Sequence, residues 1–312
     1  MSALLDVILP VFLVIGFGWA AARSGLLSAG AVDGIMRFAH TFALPCLLFR
    51  SVATLDLSAA YDPALMAAFY VGAFAGFAAG MLGARHAFAR SWTDSVAIGF
   101  ACLFSNSLLL GLAITERAYG AAALAGNVAI ISVHSPLLYA VGITAMELAR
   151  SRGSGLPARR VAGQVGRSIA TQPLVIGILA GFAVNLSGLN PPGFVMDAVG
   201  MMARAAIPAA LFGLGGVLVR YPVAGDRATI AMVCAVSLIL HPGVTWALGR
   251  LVFGLDAAGL RSAVVTAAMP PGVNAYLFAS MYGAAMRVAA SAVLVATALA
   301  LGTVWLWLRV LP

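Results

Sequence analysis

Lysine is absent: all eighteen cationic side chains among the 312 residues are arginine, and charged residues make up only 9% of the chain. A soluble domain carries about 25% charge, so a water-filled cytosolic enzyme is excluded at the outset. Cysteine is scarce too. Cys46, Cys102 and Cys234 lie inside apolar runs without C-x-x-C spacing. That excludes a disulfide framework or thiolate metal site and leaves small buried hydrophobes. No basic n-region precedes the first apolar run, so that run is expected to be a retained helix. Walker A runs, zinc-type His/Cys clusters and nucleophile elbows are missing as well. Neither ATP-driven pumping by this chain, nor enzymatic catalysis, nor a cofactor or metal is therefore expected.

What the chain does have is hydrophobicity. Apolar residues make up 62% of it, and the mean hydropathy is +1.03. At ~20 apolar residues per span, this length holds about ten transmembrane helices and no sizeable soluble domain. The 34 glycines and 14 prolines fit membrane helices, where both are commoner than in soluble ones. The expectation is an all-α polytopic membrane protein with spans at 3–22, 33–54, 63–84, 94–115, 121–147, 168–187, 196–219, 228–250, 260–281 and 287–309.

A net charge of +8 would point to nucleic acid in a soluble protein. Here the arginines stand between apolar runs, where they set topology and meet lipid headgroups, and no nucleic-acid partner is implied. The longest polar stretch, residues 150–167, carries Arg150, Arg152, Arg159, Arg160 and Arg167. It reads as a basic cytoplasmic linker between a first unit, 1–149, and a second, 168–312. With the N-terminus outside, eleven loop arginines fall on the inner face and five on the outer. The positive-inside rule then places both termini outside.

The two units resemble each other. A shift of 163 residues lays Pro10 on Pro173, Ser24-Gly25-Leu26 on Ser187-Gly188-Leu189, and Pro45 on Pro208. It also lays Leu48-Phe49 on Leu211-Phe212 and Tyr119-Gly120 on Tyr282-Gly283. Thirteen of the 40 positions from 10 to 49 are identical under it, which reads as a duplication. Five spans per half is an odd number, so the second copy must enter the membrane from the opposite side. A 5+5 inverted repeat is the architecture of many secondary transporters, which bind substrate at the repeat interface, often on discontinuous helices.

The fourth span of each half holds a candidate break: Ser105-Asn106-Ser107 in the first and Pro270-Pro271-Gly272-Val273-Asn274 in the second. The second removes two backbone donors mid-span and must interrupt a helix. Ser105, Asn106, Ser107, Pro270, Pro271, Gly272 and Asn274 are the candidate substrate-binding residues, against the plainer alternative that the asparagines bond neighbouring helices. All ten carboxylates lie near span ends or in loops. That deficit favours an anionic substrate held by amides and free N–H groups. His134 and His241, each near the centre of a span beside proline, are the candidate proton-coupling groups. Their alternative is a neutral ring bonded to a freed carbonyl, and His40 reads as structural. Arg204, expected within a turn or two of the outer end of span seven, either snorkels or meets an anion on its path. Asn185-Leu186-Ser187 matches a glycosylation pattern by coincidence.

These residues resemble the auxin efflux carrier family. Ile8-Leu9-Pro10 with Gly18 and Ser24-Gly25-Leu26-Leu27 is similar to its opening, and Leu44-Pro45-Cys46-Leu47-Leu48-Phe49 to its second span. Asn106-Ser107 with Gly111 resembles its fourth span, and Pro270-Pro271-Gly272 through Tyr282-Gly283 its ninth. The Pro-Pro-Gly-Val-Asn run and Ala210-Leu211-Phe212-Gly213-Leu214-Gly215 are closest to bacterial members assigned to malonate. Plant carriers have proline at the position of Ser105, and their long cytoplasmic loop is replaced here by the short linker. The resemblance implies ten helices, a scaffold of spans 1, 2, 6 and 7, a transport core of spans 3–5 and 8–10, and crossed broken helices 4 and 9. It further implies a small organic anion as substrate, a dicarboxylate such as malonate, carried by alternating access across a bacterial inner membrane with both termini periplasmic. Coupling to H⁺ or Na⁺ and a homodimer through helices 1, 2, 6 and 7 complete the expectation. The alternative is a gated channel or membrane sensor that reuses the carrier fold.

Overall fold

Prolines and small polar caps decide where the helices begin. The computed structural model describes residues 4–150, 163, 166, 172–221, 224 and 226–312. The helices are α1 (Asp6–Arg23), α2 (Ala29–Ala53) and α3 (Pro63–His86), then α4 (Trp92–Leu103) and α5 (Leu112–Tyr119). After them come α6 (Ala121–Arg150), α7 (Pro173–Ser187), α8 (Gly193–Leu218) and α9 (Arg227–Val252). The last three are α10 (Ala257–Ala267), α11 (Val273–Tyr282) and α12 (Met286–Val310). Ser28, Asp62, Ser91, Asp226 and Asp256 each accept a backbone N–H at the start of α2, α3, α4, α9 and α10, satisfying donors that a helix start leaves free. No strand forms among the described residues.

Proline also shapes helix interiors. Wide π-type turns at Leu4–Ile8, Ala39–Ala43 and Val236–Leu240 each end two residues before Pro10, Pro45 and Pro242. A proline ring clashes with the carbonyl four residues back, and widening that turn relieves the clash without ending the helix.

Among the described residues, seven helices are long and apolar enough to cross a membrane: α1, α2, α3, α6, α8, α9 and α12. The chain is thus a polytopic, all-helical membrane protein. α4 and α7 are shorter apolar helices. The expected span 94–115 is two helices separated by a break, running on to Tyr119. Most of the 150–167 linker lies outside the described residues.

Packing between the halves is reciprocal. α1 lies against α8, and α7 against α2. A Cβ on Gly18 of α1 would run into the Phe212 carbonyl of α8, and one on Gly181 of α7 would stand 2.8 Å from the Phe49 carbonyl of α2. Gly18 and Gly181, like Phe49 and Phe212, are related by the 163-residue shift. Small residues at such crossings let backbones approach closely where lipid supplies no hydrophobic drive. Polar ties add to this. The Asn185 amide nitrogen donates to the Val52, Ala53 and Leu55 carbonyls at the C-terminal end of α2. Arg220 pairs with Asp33 at 2.7 Å and Arg90 with Asp226 at 3.1 Å, each joining one half to the other.

Candidate functional site

α4 stops at Leu103. Phe104 (φ −95°, ψ 86°) and Asn106 (φ −76°, ψ 53°) leave the helical region. The chain re-forms as a wide turn over Ser107–Gly111, in which the Asn106 carbonyl accepts the N–H groups of both Leu110 and Gly111 at 3.2 Å. α10 stops at Ala267, and α11 starts at Val273 after Pro270, Pro271 and Gly272. The two breaks lie against each other as an antiparallel bridge between Ser105 and Pro271. Asn106 donates its N–H to the Pro270 carbonyl at 2.8 Å, and Gly272 donates to the Phe104 carbonyl at 2.9 Å. Backbone groups released from two helices thus satisfy one another inside the protein, the condition under which irregular backbone survives at membrane depth.

The side chains at the breaks are polar and largely buried. The Ser105 and Ser107 hydroxyls stand 2.7 Å apart, and Asn106 keeps 7% of its surface exposed. A cavity of about 190 Å³ opens beside them, lined by Ser105, Asn106, Ser107, His134, Gly272 and Asn274. Sequence reasoning had not placed Ser132, Ser135, His40 or Gln172 there, yet they line it as well. The signal was available for the serines, which are polar residues beside His134 in an apolar run. His40 and Gln172 come from α2 and the start of α7, and nothing in their local sequence announces that approach. Behind the site, Asn127 donates to the Thr115 and Thr266 hydroxyls at 3.1 and 2.7 Å. One amide thereby ties α5 and α10 to α6, holding an element from each break.

The candidate histidines differ in placement. His134 packs edge-on against Phe104, ring centres 4.8 Å apart. It lies beside the Ser105 backbone, though neither ring nitrogen completes a hydrogen bond among the described residues. His241 is fully buried and sits across Phe69, whose ring centre is 5.2 Å from His241 and 5.6 Å from His134. It does not line the cavity. His40 donates from Nδ1 to the Met36 carbonyl at 3.0 Å.

Pro270 and Pro271 shape the bridge and do not line the cavity. Arg204 is not brought to the breaks at all. It lies eleven residues into α8 and lines a second cavity of about 790 Å³ with Arg50, Arg117, Asp56 and Glu116. An apolar wall of Leu48, Val52, Leu112, Val128, Ile131 and Ile178 stands between the two. Leu48 and Ile131 face the small cavity, and Val128 faces the large one. Amides, hydroxyls and two imidazoles around so small a volume suit a compact polar solute.

The family described as "Membrane transport protein" matches residues 3–308. A protein of Rhizobium meliloti (strain 1021) named "Putative malonate transporter" is 27% identical over 308 residues, 97% of this chain and 94% of the relative. Auxin efflux carrier component 5 of Arabidopsis thaliana is 30% identical over 122 residues, 37% of this chain and 34% of its own. A protein of Methanothermobacter thermautotrophicus (strain Delta H) named "Uncharacterized transporter" is 22% identical over 312 residues, 98% of each.

Proposed function

This chain belongs to the membrane transport protein family, the family of the auxin efflux carriers, and from that premise we propose that it is a secondary transporter of a small dicarboxylate such as malonate, working by alternating access. It is a multi-pass membrane transporter of a small molecule; the rest of the reading is ours. The observation that carries it is the pairing of the two helix breaks through Asn106, Pro270, Phe104 and Gly272 beside a small polar cavity. Substrate docks there on the Asn106 and Asn274 amides and the Ser105 and Ser107 hydroxyls, with Pro270, Pro271 and Gly272 keeping the second break open.

Ten spans arranged as a 5+5 inverted repeat, 1–149 and 168–312 joined by the cytoplasmic linker 150–167, frame that site. α4 with α5 forms span four, α10 with α11 forms span nine, and the two cross. The reciprocal contacts of Gly18 and Gly181 support the internal two-fold. Spans 1, 2, 6 and 7 form the scaffold and the homodimer interface. Both termini lie in the periplasm of a bacterial inner membrane. The name of the Rhizobium relative supports the substrate class. Coupling is to H⁺, with His134 the nearer candidate because it lines the cavity and His241 behind it, or else to Na⁺.

Uptake of labelled malonate by proteoliposomes under an imposed pH or Na⁺ gradient tests this. Saturable accumulation is expected, which a gated channel or a sensor would not give. Asn106→Ala and Asn274→Ala should each raise the apparent Kd at least tenfold, about 1.4 kcal/mol, as losing a hydrogen bond to a charged ligand requires. His134→Gln should abolish pH-driven accumulation and spare exchange at equal concentrations. Unchanged binding in both asparagine variants, or no uptake of any dicarboxylate, overturns the reading.

A further inference from the structure

The large cavity holds charge that the transport site leaves without a task. Arg50, near the C-terminal end of α2, and Arg204, in α8, reach toward one point over Gly200. Their Nη1 atoms lie 3.2 and 3.6 Å from where a Cβ on that glycine would stand. Neither guanidinium forms an ion pair or a side-chain hydrogen bond among the described residues. Among the described residues the other charged groups of the cavity form no ion pair with them. Arg117 donates to the Val7 and Asp6 carbonyls, Asp56 has an interaction of its own, and Glu116 lines the wall without pairing with either arginine.

Two cations aimed at one point repel, and an anion between them reverses the sign. Guanidinium groups present planar pairs of N–H donors that match the two oxygens of a carboxylate or phosphate. The cavity of about 790 Å³ that both arginines line leaves the space such an oxyanion needs. We propose that Arg50 and Arg204 form an anion-capture station in the large cavity, on the far side of the apolar wall from Asn106 and Asn274. Its ligand is an oxyanion, either the carboxylate of the transported solute or the phosphate of a lipid headgroup. Only its role as a first stop for substrate rests on the transport reading.

The test uses the full chain in nanodiscs, with sodium malonate and sodium sulfate as probes at constant ionic strength. In an Asn106→Ala background both dianions should raise the unfolding temperature more than chloride does. Arg50→Gln/Arg204→Gln should remove that response. So should Gly200→Val, which keeps both charges and pushes the two guanidinium groups out of their shared position, Arg50 Nη1 standing only 3.2 Å from the Cβ site. In proteoliposomes the same changes without Asn106→Ala should raise KM for malonate at least fivefold, more than any fall in kcat. Phosphatidylglycerol retained by the unsubstituted protein in native mass spectrometry, and released by the variants, would identify a lipid phosphate as the occupant. An anion response that needs the arginines in a protein that transports no malonate would keep the station and sink the substrate reading. Folded variants with unchanged anion response, KM and bound lipid would overturn the station.

Discussion

The two helix breaks reach one geometry by different chemistry. At 270–272 two consecutive prolines cannot donate to a helix ladder, and Gly272 starts the next helix, so the interruption is written into the local sequence. The first break has no proline and no glycine between Leu103 and Ser107. It is held from outside, by the N–H of Asn106 on the Pro270 carbonyl and the Phe104 carbonyl under the Gly272 N–H, with the Ser105–Ser107 hydroxyl pair as local support. One break is intrinsic and the other is imposed by it. A break without proline or glycine of its own can therefore be supplied in space by one that has them.

The largest expected effect tests whether the halves are equivalent where they pack. Gly18→Val and Gly181→Val should each destabilise the protein by about 3 kcal/mol or more, because the added groups meet backbone that cannot yield. Gly16→Val, with nothing within 4 Å of its Cβ position, should leave the unfolding temperature in detergent unchanged. A tolerated Gly181→Val beside a ruinous Gly18→Val would break the equivalence. Next comes the asymmetry of the breaks. Pro270→Ala/Pro271→Ala returns two donors to the intrinsic break and should cut malonate uptake at least tenfold. Ser105→Ala, which removes one hydroxyl contact worth about 1 kcal/mol, should cost only a few-fold. Ser105→Pro should cost no more than Ser105→Ala, since Phe104, with ψ 86°, has already left the helical region that a following proline disfavours. A Ser105→Ala loss as deep as the double proline change would show that the first break also carries its own signal.

The smallest effect is present at neutral pH and fades in acid. Asp62 caps α3 and Asp226 caps α9, but Asp226 alone is joined to an arginine of the other half. The Thr229 hydroxyl above all, then the Ala228 N–H and the Arg90 guanidinium, hold its carboxyl below the usual carboxylate range. Such a group stabilises the fold above the unfolded-state pKa of about 4 and loses that contribution as pH falls through the lower folded value. Asp226→Asn should therefore flatten the acid side of the stability profile and leave Asp62→Asn as the comparison. Identical acid profiles for Asp226→Asn and the unsubstituted protein would remove the distinction.

Much of this was legible before any coordinates. Apolar run length and polar breaks located the helices, and Pro270-Pro271-Gly272 announced an interruption because proline acts on its own backbone. Asn106 and Asn274 stood out as polar groups in apolar surroundings, and both line one cavity. What could not be read was azimuth. Position along a span says how deep a residue lies, but its neighbours depend on how each helix is rotated. Arg204 thus belongs to a different cavity from the breaks, and His241 is screened from the site by Phe69. Asn185 was dismissed as a chance glycosylation pattern, yet its amide closes the end of α2. That partner lies about 130 residues away in sequence, beyond the reach of any local motif.

The reciprocal strapping of α1 onto α8 and α7 onto α2 bears on how the chain is made. Phe212 leaves the ribosome nearly two hundred residues after Gly18. At about 5–20 residues per second, α1 waits roughly 10–40 s in the bilayer for the helix whose carbonyl its glycine was shaped to meet. During that interval the Gly18 face is open to lipid, to insertion machinery, or to the α8 of another molecule. A membrane chaperone that shields small-residue helix faces would act on α1 first, and truncation before residue 193 should leave the shortened chain a substrate for quality-control proteases however well its remaining helices insert.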